Sequence, residues 1–284
     1  MSRAKKRTGN PAFTARPIAA AGVPDQAAPT TLTTVQDVPV ERPVRVDTSV
    51  FDEQTWQRAG EIIARYPRSR SALLPMLHLV QSVQGHVSQA GIVFCAQQLG
   101  LTTAEVSAVV TFYTMYKRQP TGEHLVSVCT NTLCAALGGD DIYSRLRKQL
   151  GVGHEETAGR PGSKGSITLE HAECLAACDL APVLQVNYEF YDNQTPESAV
   201  ALVEALRRGD RPAPTRGAPL TDWRSAELQL AGFFGAPSEL RDAVDAPSAA
   251  PETLAGNQLA QDNGWQAPAT PDQAPPLPDV AAKK

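Results

Sequence analysis

Five cysteines occur in this 284-residue chain, and four of them form two pairs. Cys129 and Cys134 are separated by four residues, Cys174 and Cys178 by three, and 39 residues lie between the pairs. Paired thiolates hold metal. A [2Fe–2S] cluster takes four cysteine thiolates, two on each iron. Structural zinc also takes four, with two to four residues between partners, so spacing alone gives the two chemistries comparable weight. Dithiol exchange wants Cys-x-x-Cys, which neither pair has. A Rieske centre needs two histidines interleaved with two cysteines. His124 and His171 precede the pairs without interleaving and read as ordinary surface or loop residues. The small residues Ala135, Ala136, Ala176 and Ala177 beside the pairs let backbone N–H groups approach the sulfurs, and such hydrogen bonds help set a potential. Cys95 lies beside Ile92, Val93, Ala96 and Leu99 and reads as a core thiol behaving as a small hydrophobe.

Other chemistry finds no footing. No nucleophile–base pairing stands out among the serines and histidines. The segment Gly159-Arg160-Pro161-Gly162-Ser163-Lys164-Gly165 lacks phosphate-loop spacing and a following helix. No Gly-x-Gly-x-x-Gly follows a strand, and no acid is placed to take a ribose. A substrate pocket of the chain's own is therefore not expected. Asp140, Asp141, Glu155 and Glu156 read as solvated surface acids.

The elements that must position the thiols follow from periodicity. Residues 52–66, 71–83 and 89–99 carry apolar groups at helical spacing; the first stops at Pro67, the second before Gly85 and the third before Gly100. Ser88 reads as an N-cap, and Thr102-Thr103-Ala104-Glu105 has capping-box spacing ahead of Val106, Val109 and Val110. Four short helices suggest a small bundle. After Pro120 the period changes. Residues 124–128 read as a strand, 133–150 as one helix, 151–165 as a polar loop, 167–169 as a second strand, and 183–186 and 188–191 as two more with Asn187 at their turn. Thr195-Pro196-Glu197 opens a last helix that ends at Gly209. The order β-α-β-β-β-α is that of a small thioredoxin-like α/β domain. In a β-α-β unit the loops at one sheet edge are neighbours, so the four thiols can converge.

Composition bounds the rest. Of 23 prolines, six lie in residues 1–50 and eleven in 210–284. The reading is four segments: a flexible N-terminal extension at 1–50, a helical bundle at 51–118, a thioredoxin-like domain at 119–209 and a Pro/Ala-rich flexible tail at 210–284. Beyond Gly209 only the patch from Trp223 to Phe234 is apolar enough to dock. Formal net charge is -4, and no segment is basic enough to hold nucleic acid by phosphate neutralisation. No stretch approaches the roughly 20 apolar residues of a membrane span, and none makes a signal-peptide core. The cysteines thus face a reducing compartment, where clustered thiols mean metal or redox chemistry more than disulfides.

Four ordered blocks extend the match beyond spacing: Thr111-Phe112-Tyr113-Thr114-Met115-Tyr116, Pro120-x-Gly122, Val128-Cys129-Thr130-Asn131-Thr132-Leu133-Cys134, and Glu173-Cys174-Leu175-Ala176-Ala177-Cys178-Asp179-Leu180-Ala181-Pro182. With Leu79 to Ser88, they resemble the E (24-kDa) subunit family of NADH-quinone oxidoreductase, respiratory complex I, over roughly residues 50–208. The resemblance puts iron–sulfur ahead of zinc. It implies an α+β chain in which a helical bundle precedes a thioredoxin-like domain. Cys129, Cys134, Cys174 and Cys178 would ligate one [2Fe–2S] cluster. The neighbour would be a flavoprotein subunit carrying FMN and NADH, with other peripheral-arm subunits around it, on the cytoplasmic face of a bacterial plasma membrane or, as the lesser alternative, the matrix side of a mitochondrial inner membrane. The cluster would exchange single electrons with that flavin, and the chain alone would catalyse nothing. The same subunit type serves NAD-linked formate dehydrogenases and hydrogenases; a zinc-stabilised thioredoxin-like interaction module is the reading from another class. Asn131 and Ala176 stand where the family often has glycine.

Overall fold

The computed structural model describes residues 46–245 and 249–266; most of the expected N-terminal extension and residues 267–284 of the expected tail lie outside them. The helices begin and end where capping chemistry says they should. In α1 (Glu53–Ala64), the Asp52 carboxylate accepts from Thr55 N–H. A 3₁₀ turn (Ser69–Ala72) leads into α2 (Leu73–Gln84), whose Pro75 sits in the first turn, where no intrahelical donor is needed. In α3 (Gln89–Leu99), the Ser88 hydroxyl accepts from Gly91 N–H, and Gly100 closes the helix in the left-handed region. Thr102 and Glu105 make a reciprocal capping box at the head of α4 (Thr103–Phe112). These helices share a core of Ile62, Met76, Leu77, Val80, Phe94 and Val106. The α2–α3 contact is close: a Cβ on Gly91 would run into Val80 Cγ1. Cys95 is buried there, and burial pushes its thiol up to about 12, so it packs as an inert hydrophobe.

The second half is a five-stranded sheet in the order β2-β3-β1-β4-β5. Its strands are β1 (His124–Cys129), β2 (Glu156–Ala158), β3 (Ile167–Ala172), β4 (Leu184–Val186) and β5 (Glu189–Tyr191). β1 and β3 run parallel, with His124 opposite Ile167 and Cys129 opposite Ala172. The other pairings are antiparallel. Alternation sorts the two faces. Val126, Val128, Leu169 and Leu184 join Ile142 and Leu146 of α6 (Gly139–Leu150) and Val203 and Leu206 of α7 (Pro196–Arg208) in one apolar core. Ser127, Glu170 and Gln185, in register, fall on the other face. The block Pro120-x-Gly122 has its reason at the entry to β1: a Cβ on Gly122 would meet Ser166 O at 2.6 Å.

Three expectations need correction. The single helix over 133–150 is two, α5 (Thr132–Ala136) and α6. The chain breaks at Gly138, which has φ 109, because Gly139 passes under the thiol loop, where a Cβ would meet Cys129 O at 2.5 Å. The polar loop over 151–165 contains the edge strand β2, whose three residues are too few to show alternation. Third, the structured chain does not end at residue 209. α8 (Trp223–Leu230) packs along α2. Trp223 is buried; its Nε1 donates to Gly85 O at 3.0 Å and its backbone N–H to Glu123 O at 2.8 Å. Leu228, Ala231 and Phe233 join the bundle core. Glu227 is fully buried: Gln81 Nε2 donates to its carboxylate at 2.8 Å, the Tyr188 hydroxyl donates at 3.2 Å, and His78 Nδ1 lies 2.6 Å away. Beyond this, α9 (Pro237–Asp245) and α10 (Pro251–Asp262) are helical with their larger apolar residues exposed.

α8 is therefore part of the fold. Removing Glu227 takes a buried acceptor from His78, Gln81 and Tyr188, so Glu227→Ala should lower stability by about 3 kcal/mol. Truncation after Gly217 should lower it further. Urea unfolding measures both; a truncated chain as stable as the full one would contradict the packing.

Candidate metal centre

The four thiols come from two loops at one edge of the sheet. The first leaves β1 at Cys129, turns through Thr130, and enters α5 with Asn131 as N-cap, its side chain accepting from Thr132 N–H at 2.9 Å. Cys134 follows within α5. The second leaves β3 at Ala172 and carries Cys174, then Cys178 at the head of a 3₁₀ turn (Cys178–Leu180). Since Cys129 pairs with Ala172, both loops depart from the same level, and Thr130 N–H donating to Ala172 O at 2.9 Å extends the ladder one step further. Val183, just ahead of β4, closes the site from the other side, accepting from Cys129 N–H at 3.1 Å.

All four thiols are free. Cys129 and Cys134 are buried, whereas Cys174 and Cys178 are exposed, so the site has an inner pair and an outer pair. Cys129 acts electrostatically on both Cys134 and Cys178, so the two pairs are neighbours. Burial, the neighbouring thiols adding to it, pushes Cys134 up to about 11 despite a hydrogen bond from Val183 N–H. Repulsion from Cys174 raises Cys178. Thiolates crowded in this way need a positive charge among them, which a metal supplies.

The surroundings fit sulfur ligands. Ala176 N–H donates to Cys174 Sγ at 3.4 Å, a hydrogen bond that a ligating thiolate can accept. Ala177, Leu180 and Val183 pack round the inner pair with Leu175, Phe190 and Ala250 beside them. Ala250 leads into α10, whose Thr253 hydroxyl donates to the Asp179 carboxylate, so the C-terminal segment lies on the second loop. Two adjacent pairs match two irons with two thiolates each.

Sequence reasoning placed Cys129 at the end of the first strand, Cys134 at the start of the helix after it and Cys174 and Cys178 after the strand read at 167–169, and they stand at those places in the chain. It misplaced His124, which is buried at the far end of β1 under Asn187, and whose basicity burial lowers. His171 is exposed on β3, its ring 4.3 Å from that of His154. Glu155, read as a free surface acid, pairs with the buried Lys117 at 3.3 Å.

Residues 59–207 match the model of one protein family, the thioredoxin-like [2Fe–2S] ferredoxins. This chain belongs to that family. Membership carries a [2Fe–2S] cluster, the chemistry the two thiol pairs fit. A relative from Mycobacterium tuberculosis, which bears the name of the E subunit of NADH-quinone oxidoreductase, is 59% identical over 213 residues, covering 75% of this chain and 81% of the relative. A Rickettsia bellii protein of the same name is 36% identical over 160 residues, covering 55% of this chain and 93% of its own length. Among solved structures, an NAD+-reducing [NiFe]-hydrogenase chain aligns over 47% of this chain and 23% of its own at 13% identity, with a TM-score of 0.41, too weak a likeness to bear on function.

Within this ferredoxin fold, Ala176 occupies the left-handed region at φ 55, where a Cβ is disfavoured by about 1 kcal/mol. Its N–H is nonetheless the one aimed at Cys174. Ala176→Gly should keep the cluster's visible spectrum and leave stability unchanged or slightly raised. Ala176→Val, β-branched at positive φ, should turn the N–H away and shift or bleach that spectrum.

Proposed function

We propose that this chain is the electron-transfer subunit of an NADH-quinone oxidoreductase, and that Cys129, Cys134, Cys174 and Cys178 bind its single [2Fe–2S] cluster. One observation carries the reading: four free thiols stand as two adjacent pairs, one buried and one exposed. A cluster bound by them exchanges one electron at a time. The buried pair, with Leu180 and Val183 around it, keeps water from the inner side. The exposed pair leaves one edge open to a partner, and electrons cross there. The partner is the flavoprotein subunit, which holds FMN and takes a hydride from NADH. Other peripheral-arm subunits complete the assembly on the cytoplasmic face of the membrane. No helix among the described residues is long and apolar enough to cross a membrane, which agrees with a peripheral place. The names of the relatives favour the quinone-linked complex over formate dehydrogenases or hydrogenases.

Serine at any of the four positions should deplete iron from the purified chain, while Cys95→Ser should retain it. The purified chain should not oxidise NADH, although dithionite should bleach its cluster. With the flavoprotein subunit added, NADH should bleach it too. NADH turnover by the chain alone, or a cluster that NADH plus flavoprotein leaves oxidised, would overturn the proposal.

A further inference from the structure

Next to Cys174 the sheet's polar face opens into a cavity of about 550 Å³, floored by Lys117, Ser127 and Glu170 and walled by Glu155 and Glu173. We infer that this cavity seats a basic side chain of the flavoprotein subunit, so that the cluster's exposed edge and the cavity form one docking face. The inference rests on the functional reading above and adds the place and chemistry of the contact.

Charge decides what the cavity can take. The Lys117 side chain is 5% exposed and is held by Glu170 and, at 3.3 Å, by Glu155. Glu170 is satisfied further by the Ser127 hydroxyl, which donates at 2.6 Å from the strand alongside. Three carboxylates thus face one ammonium, which is already paired, and the imidazoles of His154 and His171, 4.3 Å apart, line the cavity beside them. An anionic occupant would meet the surplus negative charge; a cationic one would complete it. Glu173 is exposed and has no ion-pair partner among the described residues. Glu155 is 44% exposed at its side chain and is held at φ 58, a left-handed conformation that costs a non-glycine residue energy and that tends to persist where a site needs it. A guanidinium, planar and forked, suits two such carboxylates better than an ammonium does.

Position decides which partner. Cys174 and Leu175 line the same cavity, so whatever fills it also lies against the Cys174 thiol. Met115 lines it too, and the chain leading there exposes Phe112 at 77% and Tyr113 at 38%, packed edge to face. Exposed aromatics beside a charged recess are the anatomy of an interface centre. The molecule that must come close to the cluster is the electron donor, and this is the face it would meet.

The test is equilibrium binding of the purified flavoprotein subunit to the cluster-loaded full chain. Glu155→Lys and Phe112→Ser should each weaken binding about tenfold or more with an unchanged cluster spectrum, while Glu61→Lys, on α1, should not. Glu155→Gln, which keeps the shape, should flatten the salt dependence of binding. Phe112 is exposed, so its replacement cannot act by unfolding the core. Wild-type affinity in all variants would overturn the docking face and leave the functional reading standing. No binding by the wild-type chain would overturn both. Self-association of the chain alone, lost in Glu155→Lys, would give the face to a second copy and overturn the inference.

Discussion

The candidate metal centre depends on one pairing, the parallel ladder between β1 and β3. It sets Cys129 opposite Ala172 and thereby brings the two thiol loops out of the sheet at one level. A slip of one residue in β1 would turn Cys129 to the face covered by α6, and one in β3 would carry Glu170 into the apolar core. Burial on one face and charge on the other make such a slip costly, so the register is specified twice. Gly122 and Gly139 mark where the constraint is tightest, because backbone passes within Cβ distance at the entry to β1 and beneath its exit.

The rest of the molecule holds that ladder still. α6 and α7 cover the apolar face. On the polar side, Lys117 follows the helical bundle and pairs with Glu170 of β3, and its backbone N–H donates to Gln81 of α2 at 2.6 Å. Asn187 and Tyr188 turn β4 into β5 with φ of 48 and 72, as a two-residue hairpin requires. The Asn187 amide then accepts from Leu125 N–H and donates to Thr221 O, while the Tyr188 hydroxyl reaches Glu227. One hairpin turn so ties the sheet to α8, and α8 ties it to α2. The thiol loops hang from a frame braced on three sides, and such bracing suits a cluster that must change charge with little change of shape.

What the sequence made legible is whatever chemistry is local. The Ser88 cap, the Thr102–Glu105 box and the glycine after α3 are interactions within a few residues, and they stand as read. The cysteine pairs are equally local. What stayed hidden depends on distant partners. The break between α5 and α6 arises from Cys129 O pressing on Gly139, and nothing in the 133–150 pattern records that carbonyl. Glu227 looks like any helical surface acid until His78, Gln81 and Tyr188 surround it, so the patch from Trp223 to Phe234 reads as able to dock without showing that it belongs to the core. Glu155 looks solvated until Lys117 is buried beside it. Buried charges found only in pairs are the blind spot of a linear reading, since each partner alone resembles surface.

The central claim is that two thiol pairs hold one dinuclear iron centre, and metal analysis of the purified chain tests it most directly. Iron, zinc and acid-labile sulfide should be measured on one anaerobic sample whose visible absorption is recorded beforehand. The account predicts a red-brown protein with about two irons and two sulfides per chain, in the cluster's own stoichiometry. A colourless protein with one zinc per chain and no labile sulfide would contradict it.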